Sequence, residues 1–146
     1  MPGNLAAAQA VIFTVLLFAA SACDLKKREI PDQLNGAIAL TALLSFSPCN
    51  LLGLLTGLPF LIAAVTCGGM GGGDIKLMAA SGLVLGLPGG IAATVLGLTA
   101  ILPMCGALTL IHRLHGRREK IPFPLGPFLA AGCLAAYFMK IGGLIL

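Results

Sequence analysis

Between residues 33 and 73 the chain has no charged side chain, and between residues 77 and 110 it again has none. Stretches this long do not occur on the surface of a water-soluble domain, where roughly 25% of residues are charged. They are long enough to enter a bilayer more than once. Composition points the same way: 58% of the 146 residues are hydrophobic and only 10% charged, too few to solvate a globule on all sides. The chain therefore reads as an all-α polytopic membrane protein, a single domain over residues 1–146.

Six apolar runs can be marked, at residues 5–22, 34–46, 51–67, 75–87, 91–111 and 128–146. The breaks are chemically distinct. Ile30-Pro31 ends one helix and starts the next, because proline cannot continue a helix but suits its first turn. "SPCN" at residues 47–50 is a turn, and "PGG" at residues 88–90 is expected to end the short fourth run. The stretch "ASAC" before Asp24 has the look of a lipidation site. However, no Lys or Arg precedes the first run and more apolar sequence follows it, so a spanning helix is expected instead of a cleaved leader. Gly53/Gly57 and Gly82/Gly86 form G-x-x-x-G pairs that allow close helix approach in membranes.

Six helices place alternate loops on opposite faces. One face collects Lys26, Lys27, Arg28, Lys76, Arg113, Arg117, Arg118 and Lys120; the other has only Lys140. Under the positive-inside rule, eight against one puts the charged loops in the cytoplasm and both termini outside, on the periplasmic side. The net charge of +4 comes from these clusters and not from a basic face, so nucleic acid is not an expected partner; the lipid bilayer is. The five cysteines are isolated with no C-x-x-C, and read as small buried hydrophobes. His112 and His115 lack a nearby acid or cysteine to complete a metal set. No metal and no cofactor is expected.

Two of the five acids stand at the ends of apolar runs. Asp24 closes the first and Asp74 opens the fourth, and the topology puts both at the cytoplasmic membrane edge. Acids at that depth usually face a bundle interior or a water cavity. Two carboxyls sharing one site cannot both ionise easily and hold one proton between them. One can then deprotonate water while the other serves the developing oxyanion. Asp74 follows "GGMGGG", whose glycines remove bulk beside the acid and permit unusual backbone angles. Helix capping is a compatible role for Asp74. Asp32, after Pro31, suits a helix N-terminus, and Glu29 and Glu119 read as solvated partners of the neighbouring cations. A phosphate loop is excluded, because G-K-[ST] is absent and no βαβ alternation surrounds the glycines.

Three segments together resemble the type IV prepilin peptidases, which are GxGD aspartic proteases. "CDLKKREIPDQL" is similar to the family's first-aspartate motif, "GGGDIKLMAASGLVLG" to its GxGD motif, and "IPFPLGPFLAAG" to its late loop. The resemblance implies a catalytic pair, Asp24 and Asp74, with Gly71 and Gly73 framing the second motif around the variable Gly72. Lys76 matches the lysine after the motif, with no role assigned to it. The late loop is longer than the family's compact version and receives no function. The resemblance also implies a prepilin or pseudopilin substrate whose basic leader is cut at the cytoplasmic face of the bacterial inner membrane. The chain starts almost at its first span and resembles the short, protease-only form, for which methyltransferase activity and a structural zinc are not expected. The same two aspartates would also serve a small proton- or cation-coupled transporter or channel subunit, and a non-catalytic pilus-assembly scaffold is a third reading. Oligomeric state is left open, a homo-oligomer included.

Overall fold

A computed structural model describes residues 2–67, 71–114 and 125–144, and among these there are helices and no strands. The helices are α1 (Pro2–Lys27), α2 (Asp32–Thr41), α3 (Leu58–Cys67), α4 (Gly72–Leu114) and α5 (Gly126–Ile141). A 3₁₀ turn, Ala42–Ser45, extends α2, and a 3₁₀ segment, Pro48–Gly57, leads into α3. Three helical stretches are long and apolar enough to cross a membrane, namely Asn4–Lys27, Pro48–Thr66 and Gly72–Met104; Gly126–Ile141 is a shorter apolar helix. The protein is a multi-pass membrane protein. Its outer surface supports this: Val15, Phe18, Leu40, Leu54, Val65 and Leu102 are all exposed, a coat suited to lipid and not to water.

α4 is not one straight rod. Gly86 has φ 78° and ψ 174° inside it, a conformation open in practice only to glycine. The cause lies two residues on. Pro88 has no N–H to give the Val84 carbonyl and its ring would strike it, so the helix must break upstream of the proline. The sequence places this break at residues 88–90; it falls instead at Gly86, and Pro88 belongs to the first turn of the following half. The released Val84 carbonyl accepts a hydrogen bond from Lys140 Nζ at 3.1 Å, so a cation near the end of α5 satisfies a group left over in α4.

The chain reverses at this point. Thr56 lies against both Gly82 and Gly90, two positions that a continuous helix would hold about 12 Å apart. Other contacts give the directions of the remaining runs. Asp24 meets Gly126 while Tyr137 Oη reaches the Ala6 carbonyl, so α1 and α5 are antiparallel. The Gln9 amide donates to the Thr41 carbonyl at 2.9 Å and accepts from Ser45 at 2.7 Å, while Asp32 at the other end of α2 reaches Lys76. Gly132 packs on Ala93 and Gly97. Successive helical runs therefore alternate in direction. The charged end of α1 and the charged starts of α2 and α4 gather with the start of α5 at one end of the bundle, while Lys140 lies near the other.

The 3₁₀ segment has a geometric reason. With 3.0 residues per turn, positions i, i+3 and i+6 line up on one face. Asn50, Gly53 and Thr56 form such a line and lie along α4 at Gly86, Gly82 and Gly90. Thr56 Oγ1 contacts the Gly53 carbonyl at 2.7 Å and the Met78 carbonyl at 2.9 Å, placing one hydroxyl between two backbones. A Cβ on Gly53 would overlap the Gly82 carbonyl, and one on Gly82 would overlap Gly53 and Thr56. The core around this contact is apolar, with Phe13, Leu17, Ile38, Leu77, Met78, Leu85 and Leu129 fully buried.

Gly82→Val should lower the unfolding free energy in detergent by about 1–3 kcal/mol or more, because two backbones would have to separate. Gly36→Ala in α2, where nothing lies within 4 Å of the added methyl, should instead stabilise by about 0.5–1 kcal/mol. Thermal or denaturant unfolding of both variants checks the pair.

Candidate functional site

Asp24 owes its position to the way α1 ends. Arg28 adopts φ 56°, the left-handed conformation that terminates helices, and its N–H bonds the Asp24 carbonyl at 2.8 Å. The chain then leaves the helix through Glu29, Ile30 and Pro31. Pro31, at φ −60° and ψ 138°, is the N-cap of α2. Between them Ile30 is buried, 6% exposed, and sits against Gly73. A Cβ on Gly73 would be 3.1 Å from Ile30 Cβ and 3.2 Å from Ile30 N. The link after α1 is thus pinned beneath the first turn of α4.

Asp74 is the third residue of α4. Its N–H meets the Gly71 carbonyl at 3.2 Å, so it stands inside the first turn, not at the cap. An acid there interacts favourably with the helix dipole. Gly72 has nothing within 4 Å of where a Cβ would be, and Gly73 is the glycine that packs closely. No positive φ occurs at Gly71, Gly72 or Gly73. Their contribution is missing bulk and not unusual backbone angles. Gly68, Gly69 and Met70 lie outside the described residues.

The two carboxyls share a cavity of about 390 Å³, which Arg28, Glu29, Ile30, Gly71, Gly72, Gly73 and Lys76 also line. Asp24 is 6% exposed and Asp74 7%, yet they are near enough to interact electrostatically. Asp24 Oδ2 accepts a hydrogen bond from the Gly126 N–H at 2.9 Å. Asp74 Oδ1 is buried with no hydrogen-bond partner among the described residues. A buried carboxyl oxygen left bare is costly unless something polar reaches it, so a water molecule or a substrate group is the natural occupant of this cavity. Asp24 and Asp74 together supply what general acid–base attack by water requires.

Lys76 does not point at the carboxyl pair. Its ammonium donates to both oxygens of Asp32, at 2.7 and 2.8 Å. The pair is exposed and joins α2 to α4 at the rim of the cavity. Glu29, also exposed, lines the cavity beside it. Among the described residues no three His, Cys, Asp or Glu side chains cluster as metal ligands would; His115 and Glu119 lie outside them. Sequence reasoning did not assign a role to Gly126, although the Gly-Pro step at a helix start was a visible signal. It names Ile30 only in the Ile30-Pro31 helix break and not as a packing contact.

The profile of the Type IV leader peptidase family matches residues 11–111. The chain is 36% identical over 137 residues to a prepilin leader peptidase/N-methyltransferase of Bacillus subtilis, covering 88% of this chain and 54% of that protein. It is 31% identical over 143 residues to one of Xanthomonas campestris pv. campestris, covering 88% and 49%. The chain thus spans about half the length of these curated relatives. No solved structure matches it.

An exposed ion pair contributes little, about 0.2–1 kcal/mol. Lys76→Ala and Asp32→Ala should each change the unfolding free energy by less than about 1 kcal/mol. A double-mutant cycle should return a coupling within the same range.

Proposed function

Because the chain belongs to the type IV leader peptidase family, we propose that its Asp24–Asp74 cavity hydrolyses a peptide bond in prepilin-like precursors, removing their leader. The observation that carries this reading is the pairing of two buried carboxyls in one cavity, with one oxygen of Asp74 bare. One carboxylate takes a proton from water as the water oxygen attacks the scissile carbonyl carbon. The other carboxyl, protonated, gives its proton to the carbonyl oxygen. Collapse of the tetrahedral intermediate breaks the C–N bond; the proton removed from water passes to the leaving amine, and a hydroxyl of the intermediate returns its proton to the second carboxyl as the carboxylic acid product forms. This needs no metal or cofactor. Gly72, with nothing within 4 Å of where a Cβ would be, leaves the α4 side of the cavity low enough for an extended backbone to approach the pair.

Supporting features also favour six membrane crossings in a single domain, with both termini outside. The helical runs alternate in direction, and the cationic residues Lys26, Lys27, Arg28 and Lys76 gather at the cavity end. By the positive-inside rule that end faces the cytoplasm, so the cavity opens at the cytoplasmic edge of the bacterial inner membrane. A substrate would present its leader there while its apolar part lies in the bilayer.

Two experiments test this reading. Asp24→Asn and Asp74→Asn should each lower cleavage of a co-expressed prepilin precursor by at least about 10²-fold, with the protein still inserted and folded; full cleavage by either variant refutes the dyad. For orientation, Cys49 is exposed at the end opposite the cavity. A membrane-impermeant maleimide should label it in intact spheroplasts, and Cys49→Ser should remove that label. Labelling only after lysis would invert the topology.

A further inference from the structure

α5 begins at Gly126 with Leu125 as its N-cap. The first intrahelical bond runs from Leu129 N–H to the Leu125 carbonyl at 3.1 Å, so the Gly126 N–H is one of the donors a helix leaves unused at its start. It is spent on Asp24 Oδ2, across 102 positions of sequence. The residue cannot be anything larger. A Cβ at 126 would stand 2.7 Å from Asp24 Oδ2 and 2.8 Å from its Cβ and Cγ. Three atoms of the same side chain would be displaced and no other neighbour is as close.

We infer that Gly126 is a positioning residue for the catalytic pair: its N–H fixes the Asp24 carboxyl through Oδ2, leaving Oδ1 to act on water. A hydrogen bond to one oxygen fixes the rotation of an aspartate that sits in the last turns of α1, where a free carboxyl could turn. Catalysis is sensitive to such placement, and a shift of about 1 Å can cost about 10²-fold in rate. Asp74 receives no comparable contact on its bare Oδ1. The pair is therefore asymmetric before substrate arrives, with Asp24 held through Oδ2 and Asp74 keeping one oxygen without a partner. This inference rests on the peptidase reading given above.

The test compares kcat and KM of the full-length protein in detergent micelles, with a purified prepilin precursor as probe. Gly126→Ala should lower kcat about 100-fold and leave KM within about threefold. Gly132→Ala serves as the structural comparison, since its Cβ would press on Ala93 and Gly97 and not on the pair; it should lower thermal stability while kcat per folded molecule stays near wild type. A second variant removes the N–H without adding bulk, by replacing the Leu125–Gly126 peptide bond with an ester. The Leu125 carbonyl becomes an ester carbonyl, a weaker acceptor for the Phe128 and Leu129 N–H groups, so thermal stability should fall slightly while kcat per folded molecule falls at least tenfold. Wild-type kcat in the ester variant, with Asp74→Asn inactive, overturns the inference and leaves the peptidase reading standing. Absence of cleavage by the unaltered protein overturns both.

Discussion

Ile30 against Gly73 is the contact on which the site depends. Asp24 and Asp74 are far apart in sequence and sit on helices that pack poorly against each other without help. The link after α1 brings Ile30 down onto the first turn of α4, where only a glycine leaves room for it. Burying that side chain is worth about 1.5–3 kcal/mol, enough to hold the link where the left-handed Arg28 and the rigid Pro31 have already aimed it. The acid on either side of this contact then faces the other. The ion pair between Asp32 and Lys76 joins the same two elements further out, but its exposure makes it the weaker of the two clasps.

In hydrocarbon, helices are not pressed together by water, so association depends on close packing and on polar groups that find partners. The interior follows that logic. Gly53 and Gly82 bring two backbones together, Thr56 places a hydroxyl between carbonyls on both, and Gln9 spends its amide on α2. None of these partners is charged, and each lies well away from the cavity. The charged groups that remain are confined to the helix ends.

Much of this was legible in the sequence because its signals are local. Uncharged runs gave the helices, and acids at the ends of runs gave the pair. What escaped was set by contacts between distant segments. The break in α4 falls at Gly86 because Pro88 acts on the carbonyl four residues before it, an effect felt upstream of the residue that causes it. The 3₁₀ geometry of Pro48–Gly57 answers to the spacing of glycines on another helix, which no window of its own sequence contains. Gly126 was visible only as a helix start; that its N–H reaches Asp24 requires the fold. The glycines before Asp74 promise both missing bulk and unusual angles; Gly72 and Gly73 are helical with no positive φ, and it is the missing bulk that counts, open at Gly72 and taken up by Ile30 at Gly73.

Lys140 on the Val84 carbonyl has a consequence for the length of α5. That helix is tied at its first residue to Asp24 and near its last turn to the broken end of α4, about 21 Å away at 1.5 Å per residue. It is a spacer cut to measure. Inserting or deleting one residue between the two ties would slide one end by about 1.5 Å and turn it by about 100°, so that both could not be kept. Side chains on the lipid face of α5 are free to vary, but their number is not.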